Sequence, residues 1–194
     1  MVLSIGAGLI ATFGLLSDNT AVVIGAMVVA PWILPLRTGV FAILVGDWGL
    51  LLRASRTLSI GVASTTMLAI ALGLWAATRG LLVAETMPAE ISGRVNPNLI
   101  DLTIALIAGA MATYAKVKPS TVSSMAGTAI AVALVPPICV MGLMIASGEW
   151  ENAEGAGLLF AANLLGILIG GVTVLAIREP YLRGQLLTSR RRKI

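Results

Sequence analysis

Apolar positions in this chain come in long runs, interrupted by short clusters of charged residues, glycine and proline. Six runs stand out, at residues 1–16, 20–46, 51–78, 99–115, 120–147 and 153–177. Each approaches or exceeds the length of a membrane-spanning helix. The first run lacks the basic leading region of a signal peptide and resembles the later ones, so it reads as a span. Between the third and fourth runs lies "RGLLVAETMPAEISGRVNPN", residues 79–98, whose acids, prolines and glycines predict an extramembrane linker with a short interfacial helix. After the sixth comes "REPYLRGQLLTSRRRKI", residues 178–194, a basic tail suited to anionic headgroups and too short to argue for nucleic-acid binding. Residues 1–177 therefore read as one transmembrane domain.

Composition sharpens this picture. With 58% hydrophobic and 11% charged residues and a mean hydropathy of +0.98, the chain is expected to be an all-α integral membrane protein. It contains no histidine and one cysteine, Cys139, so the commonest general base and metal ligand is missing and no disulfide can form within the chain. Neither an enzyme nor a cofactor is expected.

Charge orients the spans. If all six cross, Arg53, Arg56, Lys116, Lys118, Arg178, Arg183, Arg190, Arg191, Arg192 and Lys193 fall on one side. The other side has Arg79 and Arg94 among seven acids. Basic residues near span ends are retained inside, so both termini are expected in the cytoplasm of a cell with this protein in its inner membrane. The first and fourth runs are the shortest, about 24 to 26 Å as helices, and the assignment of sides depends on their crossing.

Those two short runs also begin an internal repeat. "GLIATFGLLSDNT" (8–20) aligns with "GAMATYAKVKPST" (109–121). With one residue inserted, Gly25 then meets Gly127, Pro35 meets Pro137, and "GDW" at 46–48 meets "GEW" at 148–150. Repeat one covers about 1–78 and repeat two about 99–177. Three spans per unit is an odd number, so the expected fold is two inverted three-helix repeats, as in many transporters.

The second run contains "VVAPWILPLRTGV" (28–40) and the fifth contains "ALVPP" (133–137). Proline lacks an amide donor and clashes with the carbonyl four residues back, so both segments are expected to break near the midplane. Pro35 and Pro137 suit the first turn of a new half-helix, and Pro31 and Pro136 complete the two breaks. The half-helix N-termini then favour an anion or polar solute between them. Simple kinks that shape packing are the alternative. Arg37, with Thr38 beside it, places a charge deep in the span. Donation to carbonyls freed by the break and direct solute contact both fit that charge. Asp47 reads as an interfacial cap.

Further polar residues within spans are Thr12, Thr113, the cluster Ser64, Thr65 and Thr66, the pair Ser123 and Ser124, and Asn163. Hydroxyls often bond their own helix, whereas Asn163 needs an external partner, so it either holds helices together or lines a cavity. The candidate solute site comprises Pro31, Pro35, Arg37, Thr38, Ser123, Ser124, Pro136, Pro137 and Asn163.

"SDNTAVVIGAMVVAPWILPL" with the following "GDW", and "STVSSMAGTAIAVALVPPICVMGL", resemble the bacterial hydrophobic proteins grouped as domain of unknown function 389. The resemblance spans roughly residues 5–175, and Trp32 and Arg37 depart from it. It implies a membrane fold and carries no established activity. Function then divides between solute or ion passage, a non-transporting assembly or sensing module, and, least supported, an enzyme. The expected partners are the lipid bilayer, a small solute, with a small inorganic anion foremost, and further copies of the chain in a homo-oligomer packed through small-residue faces.

Overall fold

The computed structural model describes residues 2–80, 87–117 and 123–178, and the described residues form helices and short connections. The helices are α1 (Val2–Leu16), α2 (Thr20–Val29), α3 (Ile33–Val45), α4 (Trp48–Thr78), α5 (Ala89–Ser92), α6 (Leu99–Val117), α7 (Ser123–Ser147) and α8 (Trp150–Arg178). By length and apolarity α4 and α8 can each cross a membrane, and the α2–α3 pair, bent by 58°, qualifies as a third span when counted as one. Val2–Leu16, Leu99–Tyr114 and Leu134–Ser147 are shorter apolar helices. The basic tail beyond Arg178 lies outside the described residues.

Local chemistry accounts for the helix ends. Asn19 caps α2 by accepting from the Val22 amide at 3.2 Å, and Asp47 caps α4 through the Leu50 amide at 3.0 Å. Gly46 and Gly148 both adopt left-handed conformations, φ 71° and 78°, that end α3 and α7. Each is followed by an acid whose amide reaches back five residues, Asp47 to Ala42 and Glu149 to Met144. Trp48 and Trp150, both largely exposed, then open the two long helices. The "GDW" and "GEW" stretches thus build the same turn.

Close approaches between helices show which way each runs. Gly8 meets Thr65 and Leu68, and Phe13 stacks edge-on against Trp75, so α1 and α4 are parallel. Ala69 faces Gly142 and Gly73 faces Ala146, so α4 and α7 are parallel too. On the other side Ala105 faces Gly166, Leu106 faces Gly170 and Arg178 lies over the Tyr114 ring at 4.7 Å, making α6 parallel to α8. Gly39 and Val40 of α3 meet Leu168 and Gly171 of α8 in the same sense. Because α7 turns tightly into α8, the helices α1, α4 and α7 point one way and α3, α6 and α8 the other.

Three connections gather at one end of this bundle. The Glu90 amide donates to Asp18 Oδ1 at 2.8 Å, Thr20 Oγ1 donates to Glu90 Oε1 at 2.6 Å, and Val95 packs on Gly155. Arg94 pairs with Glu90 at 2.9 Å, and Ile91 is fully buried beneath them. The expected short helix in the linker is α5, docked across this end. At the centre of the bundle is α7, whose residues Leu134 to Val140 are buried without interruption.

Candidate functional site

The second segment is interrupted between α2 and α3, which meet at a bend of 58°. Ala30, held extended by the proline that follows it (φ −69°, ψ 121°), closes α2, and Pro31 and Trp32 form a turn. Pro35 occupies the third position of α3, within the turn whose amides have no helical acceptor. No side chain caps this helix start, and the amides of Ile33 and Leu34 make no hydrogen bond among the described residues. In the fifth segment the expected break is not seen. α7 continues as helix through Pro136 and Pro137. Both prolines are buried, and α1, α2, α4, α6 and α8 all pack on α7, so the surrounding helices favour its continuing as helix.

Beside the α2–α3 break is a cavity of about 310 Å³ between the start of α1, the break and the first half of α4. Pro31, Trp32 and Pro35 line it, with Ser4, Leu58 and Ser64 opposite. Ser4 is 8% exposed and Trp32 3% exposed, and neither side chain makes a hydrogen bond among the described residues. Ser64 already donates to the Gly61 carbonyl at 2.9 Å and Thr57 to the Arg53 carbonyl at 2.9 Å. Among the described residues no acidic or basic side chain lines this space.

Arg37 points elsewhere. Its Nη2 donates to the Ala112 carbonyl of α6 at 3.3 Å, which ties α3 across to the other half of the chain. Thr38 bonds its own helix at Leu34. In the register that pairs Gly46 with Gly148, the position matching Arg37 is Cys139, whose Sγ lies 3.9 Å from the Gly8 carbonyl of α1. Arg37 on α3 thus reaches α6, and Cys139 on α7 reaches α1.

Asn163, buried on α8, matches Gly61 of the cavity wall in this register. Ser4 and Ser64 match Ala105 and Gly166, where a Cβ added to the glycine would lie only 2.9 Å from the alanine methyl. The space that is open in the first half is closed in the second. Of the residues expected in the site, Pro31 and Pro35 come together at the cavity, while Arg37, Thr38, Pro136, Pro137 and Asn163 do not join them. The side chains of Ser123 and Ser124 lie outside the described residues. Sequence reasoning missed Ser4, Trp32 and Thr57. Trp32 had a signal, a bulky residue between the two prolines. Ser4 had none, because only packing brings the chain start to the break.

A discontinuous helix beside a largely apolar cavity that holds a few polar groups, set in apolar helices, points to a membrane-associated helical protein. Residues 27–169 match the family described as a domain of unknown function (DUF389), and the chain belongs to that family. It is also 29% identical over 184 residues to an uncharacterized protein of the archaeon Methanocaldococcus jannaschii, covering 93% of this chain and 55% of that relative. The chain thus spans about half the length of the curated relative it matches. No solved structure matches it.

Proposed function

We propose that the chain is the membrane domain of a channel or secondary transporter for a small solute, with small anions as the preferred class. The α2–α3 break beside a cavity lined by donors that are not engaged among the described residues is the observation that carries this reading. The start of α3 adds the partial positive charge of a helix N-terminus, and among the described residues no carboxylate lines the cavity to oppose it. Arg37 acts in this reading as a strut between halves, bonded to Ala112. Its charge adds to the local field without touching the solute.

The proposed architecture is six crossings in two inverted repeats, in the cytoplasmic membrane, with both termini inside and residues 79–98 and 149–154 outside. The matched turns at Gly46 and Gly148 support it, as do the opposed helix directions and the paired contacts Gly142 with Ala69 and Val40 with Gly171, which occupy equivalent positions. Gly6 and Gly25, with open space around them, leave small-residue surfaces for the proposed homo-oligomer. The proposal assigns no catalytic step and no cofactor.

Reconstituted protein should pass one or more of chloride, nitrate, bicarbonate and short carboxylates while excluding potassium. Cation-selective flux, or none for every anion, overturns the reading. Cysteines placed at Ser92 and Asn152 in a Cys139→Ala background should react with impermeant reagent from outside. Reaction only from the cytoplasm would overturn the arrangement of spans.

A further inference from the structure

The cavity's chemistry narrows the solute further. Three of its lining residues carry donors that no hydrogen bond among the described residues engages: the Ser4 hydroxyl, the Trp32 indole N–H and the Leu34 amide. The hydroxyls of Thr57 and Ser64 are already committed to their own helix. An ionised carboxyl group offers roughly four lone-pair sites and no donor, so its needs match this set. Size and wall chemistry add a second constraint. At about 310 Å³ the cavity equals roughly ten water volumes, far more than a halide or nitrate fills. Much of the remaining wall is Pro31, Pro35, Leu58 and Ile60, which calls for an apolar body attached to the acceptor head.

We infer that this cavity binds a monocarboxylate with a small apolar body, its carboxylate at the start of α3 and its body against Leu58 and Ile60. The inference rests on the reading of the break as the solute site, and it replaces a bare inorganic ion with an organic acid as the preferred occupant. Ser4 and Trp32 are buried, and none of the donors carries a full charge. Discrimination therefore rests on the match of acceptors to donors and on the helix terminus, which together reject an ammonium head.

Gly61 supplies a clean test. A Cβ added there meets nothing within 4 Å, so Gly61→Leu extends into the cavity without pressing on packed atoms. Full-length protein in lipid nanodiscs would be titrated with radiolabelled butyrate, with chloride, butanol, butylammonium and laurate as competitors at constant ionic strength. Saturable butyrate binding is expected, weakened at least tenfold by Gly61→Leu and several-fold by Ser4→Ala, with the thermal midpoint of both unliganded variants within a few degrees of the parent. Butylammonium and butanol should fail to compete. Competition by laurate below the butyrate concentration supports the same site filled from the bilayer, and competition only above it supports filling from water.

Equal competition by chloride or butylammonium overturns the inference, as does parent-like binding in folded Gly61→Leu. Anion flux without butyrate binding leaves passage standing and overturns the organic-acid site. Butyrate binding without any flux supports the site and removes passage.

Discussion

In the sequence register that pairs Gly46 with Gly148 the α2–α3 region aligns with α7, both carry a pair of prolines, and only the first is broken. Spacing is one cause. Pro31 holds Ala30 extended, and four residues later Pro35 falls in the first turn of the next helix, where a missing amide sacrifices no bond. In α7 the adjacent prolines leave the carbonyls of Val132 and Ala133 without their helical donors, at about 3 kcal/mol per interior proline. Surroundings are the other cause. Around the first break, α1 and α4 diverge enough to leave a cavity at Ser4 and Ser64, whereas Ala105 and Gly166 close the matching space beside α7. A proline pair thus makes a break available, and the fit of neighbouring helices decides whether it is used.

The sharpest way to break this comparison is to press on the packing of each half at equivalent glycines. A Cβ at Gly109 would lie 2.1 Å from the Ile167 carbonyl oxygen, a backbone atom, while one at Gly8 would lie 3.0 Å from a Thr65 methyl. Gly109→Ala should therefore destabilise by about 3 kcal/mol or more and lower the yield of monodisperse protein, and Gly8→Ala by about 1 kcal/mol. Equal losses in thermal unfolding of the two variants would show that the halves are packed alike. Next in size are the prolines themselves. Pro136→Ala restores a donor to the Val132 carbonyl and should stabilise by about 2 kcal/mol, whereas Pro35→Ala, with no bond to restore, should stay within about 0.5 kcal/mol. A gain at Pro35 as large as that at Pro136 would mean that the first break is as strained as the second helix.

Much of this organisation was legible before any packing was known. The glycine-acid-tryptophan turns, the capping role of Asp47, the short linker helix and the break at Pro31 all follow from local backbone chemistry, which a few consecutive residues determine. The unbroken course of α7 does not, because "ALVPP" carries the same local tendency and is overruled by helices distant in sequence. The cavity was hidden for a similar reason: Ser4 and Ser64 belong to different helices, and nothing in either stretch marks them as neighbours. Arg37 could be read as needing a partner, yet its partner is a backbone carbonyl at Ala112, and carbonyls carry no signature in a sequence.

The crossed struts give a third comparison. Arg37 bonds the Ala112 carbonyl through a charged donor, while Cys139 meets the Gly8 carbonyl through a weak thiol donor at 3.9 Å. Arg37→Ala should destabilise by about 1.5 kcal/mol, Arg37→Lys by less, and Cys139→Ala by under about 1 kcal/mol. Thermal midpoints in one detergent would rank them. A larger loss at Cys139 than at Arg37 would reverse the assignment of the arginine as the stronger tie.

The smallest expected difference lies in the two turns that look most alike. After Gly46, the Asp47 carboxylate accepts from the Leu50 amide at 3.0 Å, satisfying one of the amides left open at the start of α4. After Gly148, the longer Glu149 side chain instead accepts from the Asn152 side-chain amide, and the backbone alone, through its carbonyl to the Ala153 amide, begins α8. A lost cap costs about 1 kcal/mol, whereas a bond between two side chains at a helix end contributes no more than about 0.5 kcal/mol. Asp47→Ala should therefore lower stability by about 1 kcal/mol and Glu149→Ala by half that or less, with Asp47→Asn retaining most of the cap because its side-chain oxygen still accepts. Hydrogen exchange at the first turns of α4 and α8 reads the same difference locally, with faster exchange of the Leu50 amide expected in Asp47→Ala. Equal effects of the two alanines would mean that the glutamate caps as the aspartate does, and the two turns would then be equivalent in energy as well as in backbone.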